Sequence, residues 1–265
     1  MTDSYQLIDS GEGEKLERFG QFLIQRPCAQ ALWPRCAADK WTPDARFTRD
    51  PGGVWDKKLS SGWEMAFRGF KFHIKQTDFG HMGIFPEHAM HWDWMEKCIQ
   101  SKPARVLNLF AYSGAATLAL AKAGAKVCHL DASNGMVDWA RQNAQLNNLQ
   151  DAPIRWIVDD AMKFLRREIK RESFYEGVIL DPPSFGRGKQ GQVFKIEDDL
   201  PELIALCQQV LSDKPLFTLL SCHTPGITPL VLHHLLGGGE CGEMTISGSG
   251  THDLPCGSFA RRAYA

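Results

Sequence analysis

The sequence predicts an α/β chain: a mostly parallel, doubly wound sheet with an antiparallel edge hairpin, preceded by a small β-rich domain. Three observations predict it. From about residue 104, short apolar or β-branched runs alternate with helical stretches, as in strands joined by crossover helices on both faces of a parallel sheet. The chain closes on two candidate strands, EMTISG and GSFARRAYA, with no helix between them. The first hundred residues lack the alternation and instead set Trp33, Trp41, Trp55 and Trp63 among Gly, Pro and short segments such as WEMAFRGFKFHIKQ.

The elements follow in order. VLNLF (106–110) reads as a buried strand and AYSG as a turn; AATLALAKAG reads as a helix stopped by Gly124. KVCHLD (126–131) is the second strand, with Ser133 as N-cap of the helix NGMVDWARQNAQLNN. RWIVDD is the third strand, followed by the helix AMKFLRREIKRE; GVILD (177–181) is the fourth, stopped by Pro182-Pro183. A loop of Gly, Arg and Lys leads to the helix DDLPELIALCQQVL. LFTLLSC (216–222) is the fifth strand and TPLVLHHLL a helix. Residues 1–85 read as the β-rich domain, 86–103 as a helical connector and 104–265 as the sheet domain. The four tryptophans either fill a small core poor in aliphatics or offer a stacking platform for bases.

Composition narrows the function classes. A hydrophobic content of 43% supports a sizeable core and argues against disorder. No apolar run approaches the roughly 20 residues of a membrane span, and the start MTDSYQLIDSGEGEK is acidic and polar, so a cytoplasmic protein is expected. With 30 basic against 31 acidic side chains, and a net charge of −1, bulk electrostatic binding of nucleic acid is disfavoured; a local patch would be needed. The eight cysteines contain no CxxC pair, which argues against a zinc ribbon. His88 and His91 sit at helical spacing beside Glu87 without a third regularly spaced ligand, so no metal is expected.

In open parallel sheets ligands bind beyond the carboxyl ends of the strands. The first strand leads into Phe110-Ala111-Tyr112-Ser113-Gly114, where a single glycine opens the helix, unlike the G-x-G-x-x-G cradle of a dinucleotide pyrophosphate. Asp131 ends the second strand, 17 residues beyond Gly114, where a carboxylate can accept both ribose hydroxyls or cap the next helix. Asp159 and Asp160 can accept an adenine amino group or cap a helix. Asp181-Pro182-Pro183-Ser184 holds a carboxylate on a loop stiffened by two prolines. Together the four features outline a nucleoside site.

With these motifs the chain resembles the class I S-adenosylmethionine-dependent methyltransferases and their Rossmann-like sheet. NLFAYSGAATLALAKAGA and LDPPSFGRG resemble more narrowly the bacterial family of 23S ribosomal RNA large-subunit methyltransferase I, which makes 5-methylcytosine. The likeness covers about residues 70–265. It implies that residues 104–265 bind S-adenosylmethionine and methylate RNA, expected to be ribosomal. By that resemblance Asn108, Phe110, Ala111, Tyr112, Ser113 and Gly114 line the methionine part of the cofactor. Asp131 holds the ribose, Asp160 the adenine, and Asp181 borders the transfer site, with Ala132, Ser133, Asn143, Ala161 and Pro182 as further cofactor contacts. HMGIFPEHAMHW (81–92) stands where the family reads roughly T-G-x-F-L-D-Q-R and closes over the cofactor. Gly83 and Phe85 match that segment, while Ala89 replaces the arginine.

The acceptor decides what further chemistry is needed. Carbon 5 of cytosine is a poor nucleophile, and a thiolate adding to carbon 6 makes it enamine-like. Cys222, in LLSCHTPG, resembles the family's S-C segment and is the expected nucleophile, with Asp181 beside it. His223 could lower the thiol pKa or act as a base if it faces the same way. Amino methylation would favour an aromatic directly after D-P-P; here Ser184 intervenes before Phe185. Pro183, Ser184, Phe185, Arg187 and Lys189 are the expected substrate contacts, with Lys195 extending the basic loop. Arg166, Arg167, Lys170 and Arg171, among Glu168 and Glu172, read as a solvated helix face. Two other readings are a methyltransferase for a small molecule or protein, and a cofactor-binding protein without catalysis.

Overall fold

A computed structural model of the chain describes residues 3–37, 39, 41–49, 52–100, 103–187 and 193–264. The chain forms two compact units, Met1–Ala89 with Thr245–Cys256, and Met90–Met244 with Gly257–Ala265. The turn between the last two strands is thus grouped with the N-terminal residues.

In the first unit β1 (Tyr5–Gly11), β2 (Glu14–Phe19), β3 (Phe22–Pro27), β4 (Ala45–Thr48) and β5 (Val54–Trp55) form one sheet in sequence order. A second hairpin joins β6 (Trp63–Phe67) to β7 (Phe70–Ile74) through Arg68 and Gly69, both at positive φ. Every one of the four tryptophans spends its indole N–H inside the unit: Trp33 on Ser10 O, Trp41 on Asp9, Trp55 on Thr77 O and Trp63 on Phe19 O, all at 2.8–2.9 Å. All four are half-buried and anchored within the unit by these bonds. Asp9 is fully buried and accepts the N–H groups of Ser10, Cys36 and Ala37 as well as Trp41. Burial acts to raise its pKa, but these donors more than offset it and hold the carboxyl below its usual range.

In the second unit, α1 (Ala89–Ile99) follows a 3-10 turn at Pro86–His88, which shortens the expected 86–101 helix. The sheet and its helices then alternate: β8 (Arg105–Leu109), α2 (Ala115–Lys122), β9 (Lys126–Asp131), α3 (Asn134–Leu146), β10 (Ile154–Val158), α4 (Ala161–Lys170), β11 (Gly177–Leu180). A short ribbon of β12 (Phe185–Arg187) and β13 (Val193–Lys195) precedes α5 (Ile196–Gln209), β14 (Phe217–Cys222), α6 (Pro229–Leu236), β15 (Glu240–Ile246) and β16 (Leu254–Ala263). The strand order is β10-β9-β8-β11-β14-β16-β15; the first five run parallel, and β16 runs antiparallel to β14. This is the expected α/β sheet with its antiparallel edge. The chain moves outward on one side from β8 through β9 to β10, then crosses to β11 and β14 on the other. The switch lies between β8 and β11, where open α/β sheets bind ligands.

Local chemistry explains the boundaries. Gly124 takes φ +94° just past α2, the left-handed stop expected of it. Ser133 does cap α3, but its hydroxyl makes no capping bond; its backbone N–H instead meets Asp131 Oδ1 at 2.9 Å. The charged face of α4 is solvated as expected at Arg166, Arg167, Lys170, Arg171 and Glu172, all exposed, and Glu168 alone departs from it. Glu168 is 1% exposed and accepts the Tyr175 hydroxyl at 2.6 Å, with Arg155 and Arg171 beside it. Among the described residues no helix is long and apolar enough to cross a membrane.

Candidate active site

The site is built at the carboxyl edge of β8, β9, β10, β11 and β14. Beyond β8 the backbone of Phe110–Gly114 turns sharply, with Phe110 at φ +56°, Tyr112 at +49° and Gly114 at +89°. Positive φ is uncommon for non-glycine residues and strained for bulky ones, so it must be held from outside. Four bonds hold it. Ala111 N–H donates to Leu130 O at 3.0 Å, Tyr112 N–H to Asp131 Oδ2 at 3.0 Å, and Gly114 N–H to Ala111 O at 3.0 Å. The fourth is the amide of Asn143, fully buried on α3, which donates to Ser113 O at 2.9 Å. A methyl group at Gly114 would come within 2.9 Å of Ala140 Cβ, so glycine also lets α3 approach.

Two residues expected on the cofactor surface are buried and bonded inside the fold, Asn143 to this loop and Asn108 to α2. Asn143 clamps Ser113 as described. Asn108 is 3% exposed, and its amide donates to Thr117 Oγ1 at 2.9 Å, which in turn contacts His129 Nδ1 at 2.9 Å. In a strand buried on both faces, a polar side chain must find an internal partner. Burial, with Arg141 adding to it, drives the His129 pKa down to about 3, so this imidazole is neutral.

Asp131 is the expected ribose acceptor. One carboxylate oxygen takes Tyr112 N–H and the other Ser133 N–H, which leaves further lone pairs on both. Burial raises its pKa, and those two N–H donors only partly offset this. Ala132 beside it is exposed. At the end of β10, Asp160 caps α4 by accepting Lys163 N–H at 2.9 Å, so its capping role is met through Oδ1 alone. Ala161, the first residue of α4, is buried. Asp159 pairs with Arg167.

Leu180 is in register with Leu109 on one side and Leu220 on the other, so Asp181 leaves the sheet level with Phe110 and Ser221. Its Oδ1 accepts the Ser221 hydroxyl at 2.8 Å, and His223 Nδ1 lies 3.5 Å from the same oxygen. Pro182 is buried and Pro183 exposed; Ser184 Oγ meets Thr224 Oγ1 at 2.7 Å, which ties the proline loop to the end of β14.

Cys222 is not in this cluster. It is 1% exposed, sits in the core with Leu180, Leu220 and Leu232, and accepts the backbone N–H of Thr224 at 3.4 Å. Side chains alternate along a strand, so Cys222 turns inward between Ser221 and His223. The expected catalytic thiol thus occupies a core position, and His223, which entered only as its neighbour, lies beside Asp181 at the edge.

The basic loop is also different from expectation, since its ends pair as β12 and β13. Phe185 is 50% exposed on this ribbon, and Phe194 packs on Phe110 with ring centres 5.7 Å apart. Arg187 is the last residue of β12; Lys189 lies outside the described residues. Gly83 and Phe85 belong to the first unit. Gly83 is at φ +103°, and the Phe85 ring contacts His81 and His88 edge-on at 5.1 and 6.2 Å.

An open single-glycine turn, a carboxylate one strand over and a rigid acidic loop at the switch point define a nucleoside-cofactor transferase of the α/β class. The chain belongs to the S-adenosylmethionine-dependent methyltransferase family, whose model matches residues 7–235. It is similar to the SAM-dependent methyltransferase of Agrobacterium tumefaciens, with 38% identity, 99% of this chain and 91% of that one covered, and a TM-score of 0.92. A SAM-dependent methyltransferase structure from Streptococcus mutans shares the fold at 14% identity, covering 98% and 75% of the chains with a TM-score of 0.73. The ribosomal RNA large subunit methyltransferase K/L of Shewanella baltica is 33% identical over 146 residues, which is 54% of this chain and 20% of that protein. The chain thus spans about a fifth of that relative's length. The cofactor is S-adenosylmethionine, and the donor set fits it: Asp131 retains acceptor capacity for two hydroxyls, and no glycine-rich cradle for phosphate is present at Gly114.

Proposed function

We propose that the protein methylates a base of ribosomal RNA, with Asp181 and His223 at the transfer site. The observation that carries this reading is the joint contact of Ser221 and His223 with one oxygen of Asp181, at the carboxyl edge level with Phe110. The name borne by the Shewanella relative supports RNA as the substrate class.

When bound, S-adenosylmethionine supplies an electrophilic methyl group for in-line displacement, a reaction in which positioning provides much of the rate. Ionised Asp131 accepts the two ribose hydroxyls, and Asp160 offers its second oxygen to the adenine amino group. The Phe110–Gly114 backbone, held by Asp131 and Asn143, receives the methionine part. Asp181, fixed by Ser221, accepts a hydrogen bond from the target base. With Nδ1–H directed at Asp181, His223 Nε2 takes the proton that the base releases.

This arrangement suits an acceptor nitrogen, whose own lone pair is the nucleophile. Carbon 5 of cytosine, the finer expectation from the sequence, needs a thiolate at the base, and Cys222 is 1% exposed. The reading is tested with an unmodified large-subunit ribosomal RNA transcript and labelled cofactor, digested to nucleosides and analysed by mass spectrometry. It expects a single N-methylated nucleoside. A C-methylated cytosine would return Cys222 to the mechanism, and transfer to proteins or small molecules but not to RNA would overturn the substrate class.

A further inference from the structure

The ribbon between the proline loop and α5 has two different faces. Phe185 pairs with Lys195, Gly186 with Phe194 and Arg187 with Val193 across it. Cross-strand partners point to the same side, and neighbours along a strand to opposite sides. Phe185, Lys195 and Val193 therefore share a face, and all three are exposed. Phe194 lies on the other face, partly buried against the core and against Phe110.

Phe110 is the first residue of the cofactor loop and is held at φ +56°. The ribbon is also tied to the transfer site at its other end, where Ile196 N–H donates to Ser184 O at 3.1 Å and Ser184 meets Thr224. One small element thus touches the cofactor loop through Phe194, carries an aromatic ring and a cation outward at Phe185 and Lys195, and begins at the acidic loop.

Resting on the RNA reading above, we infer that Phe194 is a positioning residue that couples substrate binding to cofactor binding. A base stacked on Phe185, with Lys195 near its phosphate, favours one position of the ribbon, and Phe194 presses that preference onto Phe110. Cofactor in the Phe110–Gly114 loop favours the same position. Coupling of this kind is reciprocal: each ligand raises the affinity of the other by the same factor.

The experiment measures four affinities: S-adenosylhomocysteine with and without an unmodified large-subunit ribosomal RNA transcript, and the transcript with and without S-adenosylhomocysteine. The wild-type protein is expected to give the same enhancement in both directions, about five- to twentyfold. Phe194→Ala is expected to bring that ratio to about one and Phe194→Tyr to restore it. Because the ratio cancels any change in the separate affinities, a merely structural loss does not imitate the effect, and thermal melting identifies a variant that fails to fold. An enhancement unchanged in Phe194→Ala, or absent from the wild type although both ligands bind, would overturn the inference. A transcript that does not bind at all would instead overturn the RNA reading on which it rests.

Discussion

The carboxylate of Asp131 accepts the backbone N–H of Tyr112 at 3.0 Å, so the end of one strand holds the loop that leaves its neighbour. Tyr112 is at φ +49°, a conformation that a tyrosine keeps only under constraint. Asp131 therefore shapes this loop, and in the reading proposed above it also presents its remaining lone pairs to the ribose.

Removing Asp131 should separate these duties from folding. Each charge-assisted hydrogen bond is worth about 1.5–3 kcal/mol, so losing two to the ribose should weaken S-adenosylhomocysteine binding roughly a hundredfold or more in Asp131→Ala. Burial raises the pKa of this carboxyl, and its protonated form cannot accept both hydroxyls. Affinity should thus fall as the pH drops through the raised pKa. Calorimetric titrations across acidic to neutral pH check both statements; affinity that is flat with pH and survives the substitution would refute them.

Gly114→Ala should destabilise the second unit. The backbone there is at φ +89°, which costs an alanine about 1–2 kcal/mol, and the added methyl lies 2.9 Å from Ala140 Cβ. Overpacking of this size adds about 1–3 kcal/mol. Measured against Ala140→Gly alone, whose glycine within α3 itself costs about 1 kcal/mol, Ala140→Gly in the same chain should recover the packing part and leave the backbone part. Thermal melting of these variants reads the split.

His129 sets a pH dependence of stability with a defined sign. Its pKa is about 3 when folded and near 6.5 when unfolded, so the unfolded chain binds the extra proton. Stability from this residue is present above about pH 6.5 and is lost as the pH falls, by up to about 1.4 kcal/mol per pH unit. His129→Gln should show a shallower slope between pH 6.5 and 5 in denaturant unfolding, even though it is less stable at neutral pH. Parallel slopes would mean that His129 already carries its proton in the fold.

Much of this architecture is legible in the sequence because the strands announce themselves. VLNL, KVCHL, GVIL and FTLLSC are apolar runs of strand length between clear stops, and Gly124 and Pro182-Pro183 mark ends that the structure keeps. The same runs hide which way each side chain points. All six residues of β14 are buried, so no polar–apolar alternation betrays that Cys222 faces in while Ser221 and His223 face Asp181. Asn108 on β8 and Asn143 on α3 are expected as ligand contacts through the family resemblance; the partners the structure shows, Thr117 and the Ser113 carbonyl, belong to other elements. The β12–β13 ribbon escaped because its strands are three residues long and its sequence is rich in glycine.

The initial rate of methyl transfer to an unmodified large-subunit ribosomal RNA transcript, compared among wild type, Cys222→Ala, Asp181→Asn and His223→Ala, tests the central claim most directly. The Asp181–His223 account predicts that Cys222→Ala stays within a few-fold of wild type. Asp181→Asn and His223→Ala should each lose about a hundredfold or more, as expected when positioned proton transfer is removed. A Cys222→Ala protein that binds the transcript but transfers no methyl group, beside an active His223→Ala protein, would contradict the account.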